Sequence, residues 1–486
     1  MTIERLIQRA VENIPEIDTE VIMKAYNFAK KAHENQTRKS GEPYIEHSIF
    51  TAFELVQIRA DLNTIVAGLL HDVPEDTEYT IEDIRKEFGD DIASLVNGIT
   101  KLGKIKYRGI ERYRENLKKM FLAITDDIRI VYIKFCDRLH NLKTLDALPK
   151  NKQERIARET LEIYTPIAGL LGIWRLKWQM EDICFKHLYP KEYQELEYKY
   201  EIEKRSERNQ FFQKTKNILE KELKKTKIDY EITARFKHLY SIWQKMQRKD
   251  RKFDEIYDVF ALRVVVKNIE NCYKVLGIIH TIWKPLLNRF KDYIAVPKPN
   301  GYRSLHTTVI GIDNKATEFQ IKTKEMHEES LFGSQSHWDY KNNHSSTKKP
   351  KWINEMLEIQ KENKNTEDFV KEIKSNIFQD RIFVFSPKGD VIELPIKSTP
   401  IDFAYAIHTD IGNRTTQAIV NEKIVTLNHE LKNGDLVEII IDKSRKSPNS
   451  EWLSFVKTKR AKERIKQYSK NKTLDKFKKI FYKDVS

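Results

Sequence analysis

The spacing of apolar residues changes along this chain, and the change excludes a single type of fold. Up to about residue 190, apolar residues such as Ala25, Phe28 and Ala32 recur at helical spacing, which predicts successive amphipathic helices. Beyond Ile228, short β-branched runs such as residues 264–266 are typical of strands. A chain of 486 residues is also too long to bury one hydrophobic core. The sequence therefore predicts a multidomain α+β protein.

Composition shifts and turn signals divide the chain further. The predicted units are an all-α domain (1–190), connecting helices (191–228), a mixed α/β domain (229–345), a linker helix (346–379), a small β-rich domain (380–442) and a basic helical tail (443–486). The connecting segment is densely charged and has sparse apolar positions. We therefore expect it to be a solvated bridge.

The composition limits the class of protein. Hydrophobic residues make up 40% and charged residues 33%, with 15 Gly and 14 Pro, which excludes a collagenous or wholly disordered chain. No apolar stretch approaches the roughly 20 residues that a membrane span needs. Acidic residues near the N-terminus do not fit a signal peptide. We expect a cytoplasmic protein that does not contact membranes.

The positive charge of the chain is concentrated at one end. The formal net charge is +15, and from Lys457 onward 12 Lys and Arg stand against three Asp and Glu. Such a tail could contact RNA or an acidic partner, or it could be a solvated helix. Composition alone favours neither of these two interpretations.

Histidine and carboxylate residues of the first domain form the pattern of a metal site. His71 and Asp72 are adjacent and can chelate one cation, with His47 upstream and Asp137 downstream. A lone His on a helix is more often a hydrogen-bonded core residue, but here several potential ligands occur together. Imidazole and carboxylate without thiolate suit Mn²⁺ better than a structural zinc. Such a metal can activate water and neutralise phosphate oxygens.

Two further acids follow this pair. Glu75 and Asp76 come directly after Pro74, which removes a backbone donor and disfavours helix at the preceding residue. We therefore expect both acids to approach the metal from a loop. Downstream, Asn141 and Thr144 share a helical face with the candidate ligand at position 137.

Polar residues also recur at the edges of the predicted strands of the second domain. Glu318 and Gln320 alternate with apolar residues, so both point to one face of a strand. Asp258 precedes another apolar strand, and one carboxylate from each strand could hold Mg²⁺. Alone, either acid would more often face solvent. The cations around Tyr302 favour a purine nucleotide site instead.

Four segments of the first domain resemble the HD phosphohydrolase domain of the RelA/SpoT-homologue family, in the family's order: QTRKSGEPYIEHS, LLHDVPEDT, VNGITKLGKI and KFCDRLHNLKTL. Residues 235–341 resemble the synthetase domain of the same family, and 380–441 resemble its TGS domain. The family consists of alarmone enzymes of the stringent response. The resemblance implies transfer of pyrophosphate from ATP to the 3′-hydroxyl of GDP or GTP, and hydrolysis of (p)ppGpp to GDP or GTP and pyrophosphate.

The resemblance also implies roles for residues of the helical domain. His47, His71, Asp72 and Asp137 would bind Mn²⁺, and Glu75 and Asp76 would activate water. The implied hydrolase nucleotide-binding residues are Arg38, Lys39, Ser40, Asn141 and Thr144.

In the synthetase domain, Asp258 and Glu318 would bind Mg²⁺. Arg235 and Lys237 would hold the phosphates of ATP. Glu318 would also be the base for the 3′-hydroxyl, and Tyr302 would stack on guanine. The implied nucleotide-binding residues are Arg235, Lys237, Ser241, Arg263, Lys291, Lys298, Tyr302, His306 and Gln320. The RFKD motif at 289–292 resembles the basic version found in bifunctional members.

Two alternatives stay open. Ala234 stands where the family usually has Gly, and Leu331 lies in a segment that departs from the family pattern, which is consistent with a hydrolase whose synthetase is weakened. The second alternative is a stress factor that contacts the ribosome or tRNA through its TGS domain and basic tail, with inactive enzyme sites. The resemblance ends without zinc-finger or ACT-like segments, which fits either a natural short form or a truncated chain.

Overall fold

The computed structural model describes most of the chain, in two compact units that are considered separately. The first unit extends to Leu357 and the second begins at Glu358. The described residues are 1–103, 109–205, 207–249, 253, 260–286, 289–298, 300–332, 381–432, 434–442, 444–445 and 447–468. Asp258 and the predicted linker helix at 346–379 lie outside these residues. Among the described helices, none has the length and apolar character needed to cross a bilayer.

The first domain is all helical, as its periodicity predicts. Its helices are α1 Ile3–Asn13, α2 Thr19–Ala32, α3 Ile45–Gln57, α4 Leu62–Leu70, α5 Val73–Asp76, α6 Ile81–Phe88, α7 Asp90–Gly103, α8 Gly109–Asp126, α9 Ile128–Lys143, α10 Lys150–Glu159, α11 Thr165–Leu170 and α12 Trp174–Leu188. A 3₁₀ turn spans Leu145–Ala147, and a π-helical turn spans Thr160–Tyr164. Asp61 and Asp127 cap the N-termini of α4 and α9 by accepting backbone N–H bonds.

The centre of this domain is α3, which is buried from His47 through Gln57. It packs against α4 and α9. The buried residues include the polar His47, Thr51 and Glu54, which recur at i, i+4 and i+7 and so share one face of the helix. Residues that α3 presents to its neighbours therefore sit in a rigid, water-poor environment.

The charged segment after the helical domain is helical, but it is not a solvated bridge. Its two helices are α13 Pro190–Arg205 and α14 Glu207–Leu223. Leu219 and Leu223, four positions apart, are fully buried in the core of the following sheet, and Leu196 is buried against Ile242 and its neighbours. The expectation of a solvated connection was wrong because a few apolar residues at helical spacing suffice to fix one face of a helix.

The second domain is built on a five-stranded mixed sheet with strand order β1-β2-β5-β4-β3. The strands are β1 Tyr230–Phe236, β2 Phe260–Val266, β3 Lys291–Asp292, β4 Leu305–Ile310 and β5 Ala316–Thr323, with helices α15 Leu239–Lys249, α16 Ile269–Ile282 and α17 Lys324–Phe332. Among the described strands of this sheet, β2 and β5 are parallel and the other neighbouring pairs are antiparallel. One sheet face packs on α14 and α16 through Leu262, Phe319 and Ile321. The opposite face is polar.

The second unit is small and rich in strands. It contains β6 Arg381–Phe385, β7 Val391–Pro395, β8 Thr415–Val420, β9 Lys423–Val425, β10 Val437–Ile441, α18 Pro400–Ile407 and α19 Thr409–Arg414. β10, β8 and β9 form one sheet, and β6 and β7 form another. These elements confirm the predicted small β-rich domain.

The first part of the predicted tail packs onto this small domain. The buried Asp402 carboxylate accepts bonds from the backbone N–H groups of Lys457 and Thr458. Trp452 and Ile465 are buried in one cluster with Tyr405. Residues 459–468 are helical, and the rest of the tail lies outside the described residues. One face of the described part of the tail therefore packs against the small domain.

Two glycines offer a matched test of the helix packing. A Cβ at Gly98 in α7 would overlap the side chain of the buried Ile130, whereas a Cβ at Gly277 in α16 would meet no heavy atom within 4 Å. We expect Gly98→Ala to lower the free energy of unfolding by about 1–3 kcal/mol through overpacking. Gly277→Ala, the control, should raise it by about 0.5–1 kcal/mol. Urea denaturation measures both, and an unchanged Gly98→Ala would contradict this packing.

Candidate active sites in the helical and sheet domains

Three buried side chains of the helical domain converge on one point. The ligand atoms of His47 on α3, His71 at the end of α4 and Asp137 on α9 all lie within 4.8 Å of one another. His47 Nε2 lies 3.2 Å from His71 Nε2 and 3.4 Å from Asp137 Oδ1. Asp72 adds a carboxylate at 3.2 Å from His71 Nε2 and 3.3 Å from His47 Nε2. The sequence-predicted metal set is thus brought together.

The surrounding contacts orient these imidazoles for a metal. His71 Nδ1 lies 2.8 Å from the carbonyl oxygen of Gly68, to which it can only donate. Nδ1 therefore carries a proton, and Nε2 is the nitrogen that faces the cluster, where a bound cation would take the place of a second proton. Imidazole nitrogens and carboxylate oxygens at these separations fit a divalent cation.

The electrostatics of the cluster favour a bound cation. Burial raises the pKa of Asp72, but His71 and His47 outweigh it and lower that pKa well below its usual value. For Asp137, Lys134 and the same histidines overcome burial and also lower the pKa. Burial lowers the pKa of His71, yet Asp72 raises it to about 9. Both carboxylates are therefore ionised at neutral pH.

Glu75 and Asp76 lie in a short helix rather than in a loop, so that expectation was wrong. Helix α5 contains Pro74 in its first turn, where the missing N–H needs no partner. Asp76 Oδ2 accepts a hydrogen bond of 2.6 Å from Tyr44, whose hydroxyl lies 2.9 Å from Asp72. Partial desolvation raises the pKa of the Glu75 carboxyl.

A cavity of about 500 Å³ adjoins the cluster. All five residues that the sequence assigns to hydrolase nucleotide binding line it: Arg38, Lys39, Ser40, Asn141 and Thr144. Arg38 donates to Asn141, and Asn141 donates to Asp137, so nucleotide-binding and metal-binding side chains are linked.

The sequence reasoning missed several side chains of this cavity. Lys134 donates to Asp137 at 2.7 Å, and Arg138 donates to the Tyr164 hydroxyl at 2.6 Å. Lys134 lies three positions before Asp137, so helical spacing could have identified it. Tyr164 comes from the π-helical turn, for which the sequence gives no signal.

On the sheet domain, a row of polar side chains crosses the face opposite α16. The register places Arg263, Gln320, His306 and Lys291 opposite one another on neighbouring strands. Gln320 accepts a bond of 2.6 Å from Arg235 and donates one of 2.8 Å to Glu318. Glu318 and Gln320 share one face, as their alternation predicts.

Tyr302 lies beside His306, a member of this row. Its hydroxyl is 2.9 Å from His306 Nε2, and the ammonium groups of Lys322 and Lys298 lie 4.7 and 5.2 Å from its ring centroid. Ser241 lies in the segment after β1, with its hydroxyl 2.8 Å from His238, and Lys237 belongs to the same segment. Because Asp258 is not among the described residues, the proposed pair of metal carboxylates stays a prediction.

Positive charge is concentrated on this face. Lys322 is only 3% exposed, and its burial together with Arg235, Arg263 and Lys298 lowers its pKa well below the usual value. Burial and the neighbouring lysines also lower the pKa of His306. Cations held together in this way attract an anion such as a polyphosphate. Sequence reasoning missed Lys322, although its spacing of two from Gln320 could have found it.

A helical domain with a buried His and Asp cluster, followed by a sheet with a cationic face, defines an enzyme with a metal-dependent phosphohydrolase site and a phosphate-transfer site. Comparison with protein families agrees: residues 25–174 match the HD domain, 234–345 match a region found in RelA/SpoT proteins, and 382–441 match the TGS domain.

Curated relatives are similar over nearly the whole chain. Guanosine-3′,5′-bis(diphosphate) 3′-pyrophosphohydrolase of Aquifex aeolicus is 44% identical over 480 residues, covering 98% of this chain and 68% of the relative. The bifunctional (p)ppGpp synthase/hydrolase SpoT of Escherichia coli K12 is 42% identical, covering 96% and 67%. GTP pyrophosphokinase of Myxococcus xanthus is 42% identical, covering 95% and 62%. This chain belongs to the RelA/SpoT family and spans about two thirds of the length of these relatives.

Among solved structures, a metazoan orthologue of SpoT that hydrolyzes ppGpp is 24% identical over 35% of this chain and 96% of its own, with a TM-score of 0.29. Small alarmone synthetase 1 from Bacillus subtilis bound to pppGpp is 23% identical over 32% of this chain and 92% of its own, with a TM-score of 0.22. Likenesses at such TM-scores support no argument about fold or function.

The metal cluster can be tested by direct binding. We expect Asp137→Asn, which removes a charge but keeps the shape, to weaken Mn²⁺ binding at least about tenfold, because a carboxylate ligand is lost. Isothermal titration with MnCl₂ measures this change. His280→Asn, on α16 and hydrogen-bonded to Thr307, is the control and should bind as the wild type does. Equal Mn²⁺ affinity of Asp137→Asn and wild type would rule out this ligand.

The buried lysine of the sheet face supports a second test. Because the pKa of Lys322 is lowered on folding, this group binds fewer protons in the folded state than in the unfolded state. The free energy of unfolding therefore rises with pH until the pH reaches the pKa of an unfolded lysine, about 10.4.

We expect Lys322→Met to stabilise the nucleotide-free protein by about 1–3 kcal/mol at neutral pH and to weaken ATP or GDP binding. Thermal unfolding and titration calorimetry measure the two effects. Lys324→Met, at an exposed position, is the control. A destabilised Lys322→Met with unchanged nucleotide affinity would contradict the assignment.

Proposed function

We propose that this chain is a bifunctional alarmone enzyme that both synthesises and hydrolyses (p)ppGpp. The observation that carries the proposal is the presence of two chemically different sites in one compact unit. One is a buried His and Asp cluster beside a nucleotide-sized cavity, and the other is a cationic sheet face that bears a carboxylate. The family relationship supports the same assignment.

In the hydrolase reaction, water attacks the phosphorus bonded to the 3′-oxygen of the nucleotide. The bond between that phosphorus and the 3′-oxygen breaks, the 3′-oxygen takes up a proton, and pyrophosphate leaves. A divalent cation, which we propose to be Mn²⁺, would lower the pKa of water and neutralise phosphate charge when bound by His47, His71, Asp72 and Asp137.

The chain's own residues supply the remaining steps. Glu75 has a raised pKa, which makes it a stronger base for a proton from water, and Asp76 lies beside it. Arg38 and Asn141 hold the nucleotide against the cluster. Lys134 and Arg138, which line the cavity, provide positive charge for the departing pyrophosphate.

In the synthetase reaction, the 3′-oxygen of GDP or GTP attacks the β-phosphorus of ATP, and AMP leaves. Glu318 accepts the proton of the 3′-hydroxyl, and Arg235, Arg263 and Lys298 offset the phosphate charge. Tyr302 offers its ring to guanine. Mg²⁺, held by Glu318 and Asp258, would neutralise the transferred phosphates when bound.

We also propose that the TGS domain and the basic tail contact the ribosome or tRNA, and that the protein acts in the cytoplasm. The TGS match and the tail's charge support this part of the proposal. Salt-sensitive RNA binding would agree with it, whereas RNA binding without any nucleotide turnover would favour the stress-factor alternative.

Separate variants assign the two activities. We expect Glu318→Gln to lower formation of AMP and (p)ppGpp from ATP and GDP under Mg²⁺ by about 100-fold or more, because the base is lost. Asp72→Asn should lower (p)ppGpp hydrolysis under Mn²⁺ by a similar factor. Chromatographic separation of nucleotides measures both reactions.

Each of these variants is the other's control, and Glu270→Gln, an exposed acid on α16, controls for the loss of a carboxylate. Loss of both activities in either variant would argue against separate sites. Full hydrolysis by a wild type that makes no alarmone would favour the hydrolase with a weakened synthetase.

A further inference from the structure

Helix α12 of the helical domain supplies two acids to the sheet-domain segment that we assign to ATP. That segment, residues 235–241, runs from the end of β1 into the first turn of α15 and carries Arg235, Lys237 and Ser241. The acids are Glu181 and Asp182, and α12 packs against α15. A part of one domain therefore shapes the proposed nucleotide site of the other.

Asp182 fixes the start of α15. Its Oδ1 accepts a 2.9 Å hydrogen bond from the backbone N–H of Tyr240, in the first turn of that helix. A carboxylate at this position caps a helix N-terminus and interacts favourably with its dipole. The backbone position of Ser241, one residue later, is fixed by this contact.

Glu181 contacts the side chain of Ser241 indirectly, through His238. It is 5% exposed, it forms an ion pair with Lys177, and its Oε2 lies 2.8 Å from His238 Nε2. The Ser241 hydroxyl lies 2.8 Å from the same nitrogen. One imidazole nitrogen therefore stands between a carboxylate and a hydroxyl.

The hydrogen-bonding capacity of these groups determines where the protons lie. Burial raises the pKa of Glu181, but His238 and Lys177 outweigh it and lower that pKa, so the group is an ionised acceptor. His238 Nε2 must then carry a proton, which it donates to Glu181 and shares with the Ser241 oxygen. The hydrogen of the Ser241 hydroxyl remains available to donate to a ligand.

We propose that Glu181 is a positioning residue for the synthetase reaction: it holds the proton on His238 Nε2 and so keeps the Ser241 hydroxyl as a donor to a phosphate oxygen of ATP. This inference rests on the proposed function. Without Glu181, the imidazole can adopt the other tautomer, with its proton on Nδ1. Nε2 then accepts the Ser241 hydrogen, and ATP loses a hydrogen-bond donor.

A double-mutant cycle tests this relation on the full chain, with ATP binding measured calorimetrically under Mg²⁺ and without GDP or GTP. We expect Glu181→Ala and Ser241→Ala each to weaken ATP binding about tenfold, the value of one hydrogen bond to a charged group. The double variant should bind no more weakly than Ser241→Ala alone, because Glu181 acts through that hydroxyl. Glu195→Ala, an exposed acid on α13, is the control and should match the wild type.

A second pair of variants separates hydrogen bonding from folding. His238→Gln places an amide N–H donor near the Nε2 position, so we expect it to keep ATP affinity within about twofold. In His238→Ala the ionised Glu181 is left as an acceptor for the Ser241 hydrogen, so this variant should lose about tenfold. If the effects of Glu181→Ala and Ser241→Ala multiply in the double variant, or if Glu181→Ala binds ATP as the wild type does, the inference is overturned. A wild type that does not bind ATP would instead overturn the proposed synthetase function.

Discussion

Repulsion between cations on one face of a five-stranded sheet is the constraint around which the second domain is built. Burial, and then the nearby Arg235, Arg263 and Lys298, lower the pKa of Lys322, which means that the nucleotide-free fold is stabilised elsewhere. The opposite face provides that stabilisation, since Leu262, Phe319 and Ile321 are fully buried against α14 and α16. Hydrophobic burial on one side of each strand thus offsets charge crowding on the other, as is common where a protein binds a charged ligand.

In the helical domain the buried charges that must be stabilised are carboxylates rather than cations. Asp72 and Asp137 are ionised beside the buried His47 and His71, and a bound cation would take the place of the proton that these carboxylates hold on His71. Because the ligands come from α3, α4 and α9, which pack against one another, their separations depend on the helix packing rather than on loops. Helix α12 packs against α9 and also against α15, so it contacts one helix of each proposed site.

Much of this arrangement follows from local sequence. Helical periodicity and the alternation around Glu318 gave the fold class and the shared face of Glu318 and Gln320, because both patterns report which side of an element is buried. The segment 191–228 was misjudged because its few apolar residues are diluted by charge, although Leu219 and Leu223 are decisive. Proline before Glu75 suggested a loop, yet Pro74 suits the first turn of a helix equally well. The contact of Glu181 with His238 joins residues 57 positions apart, and no local pattern predicts it.

The strand order has a consequence for how the chain assembles. β5, the last of the five strands in sequence, is central, and it alone joins the β1–β2 pair to the β3–β4 pair. During synthesis from the N-terminus, two separate strand pairs exist until residues 316–323 have emerged, whereas the helices that carry His47, His71 and Asp137 are complete far earlier. A nascent chain can thus acquire the pocket that degrades the signal before it acquires the one that makes it.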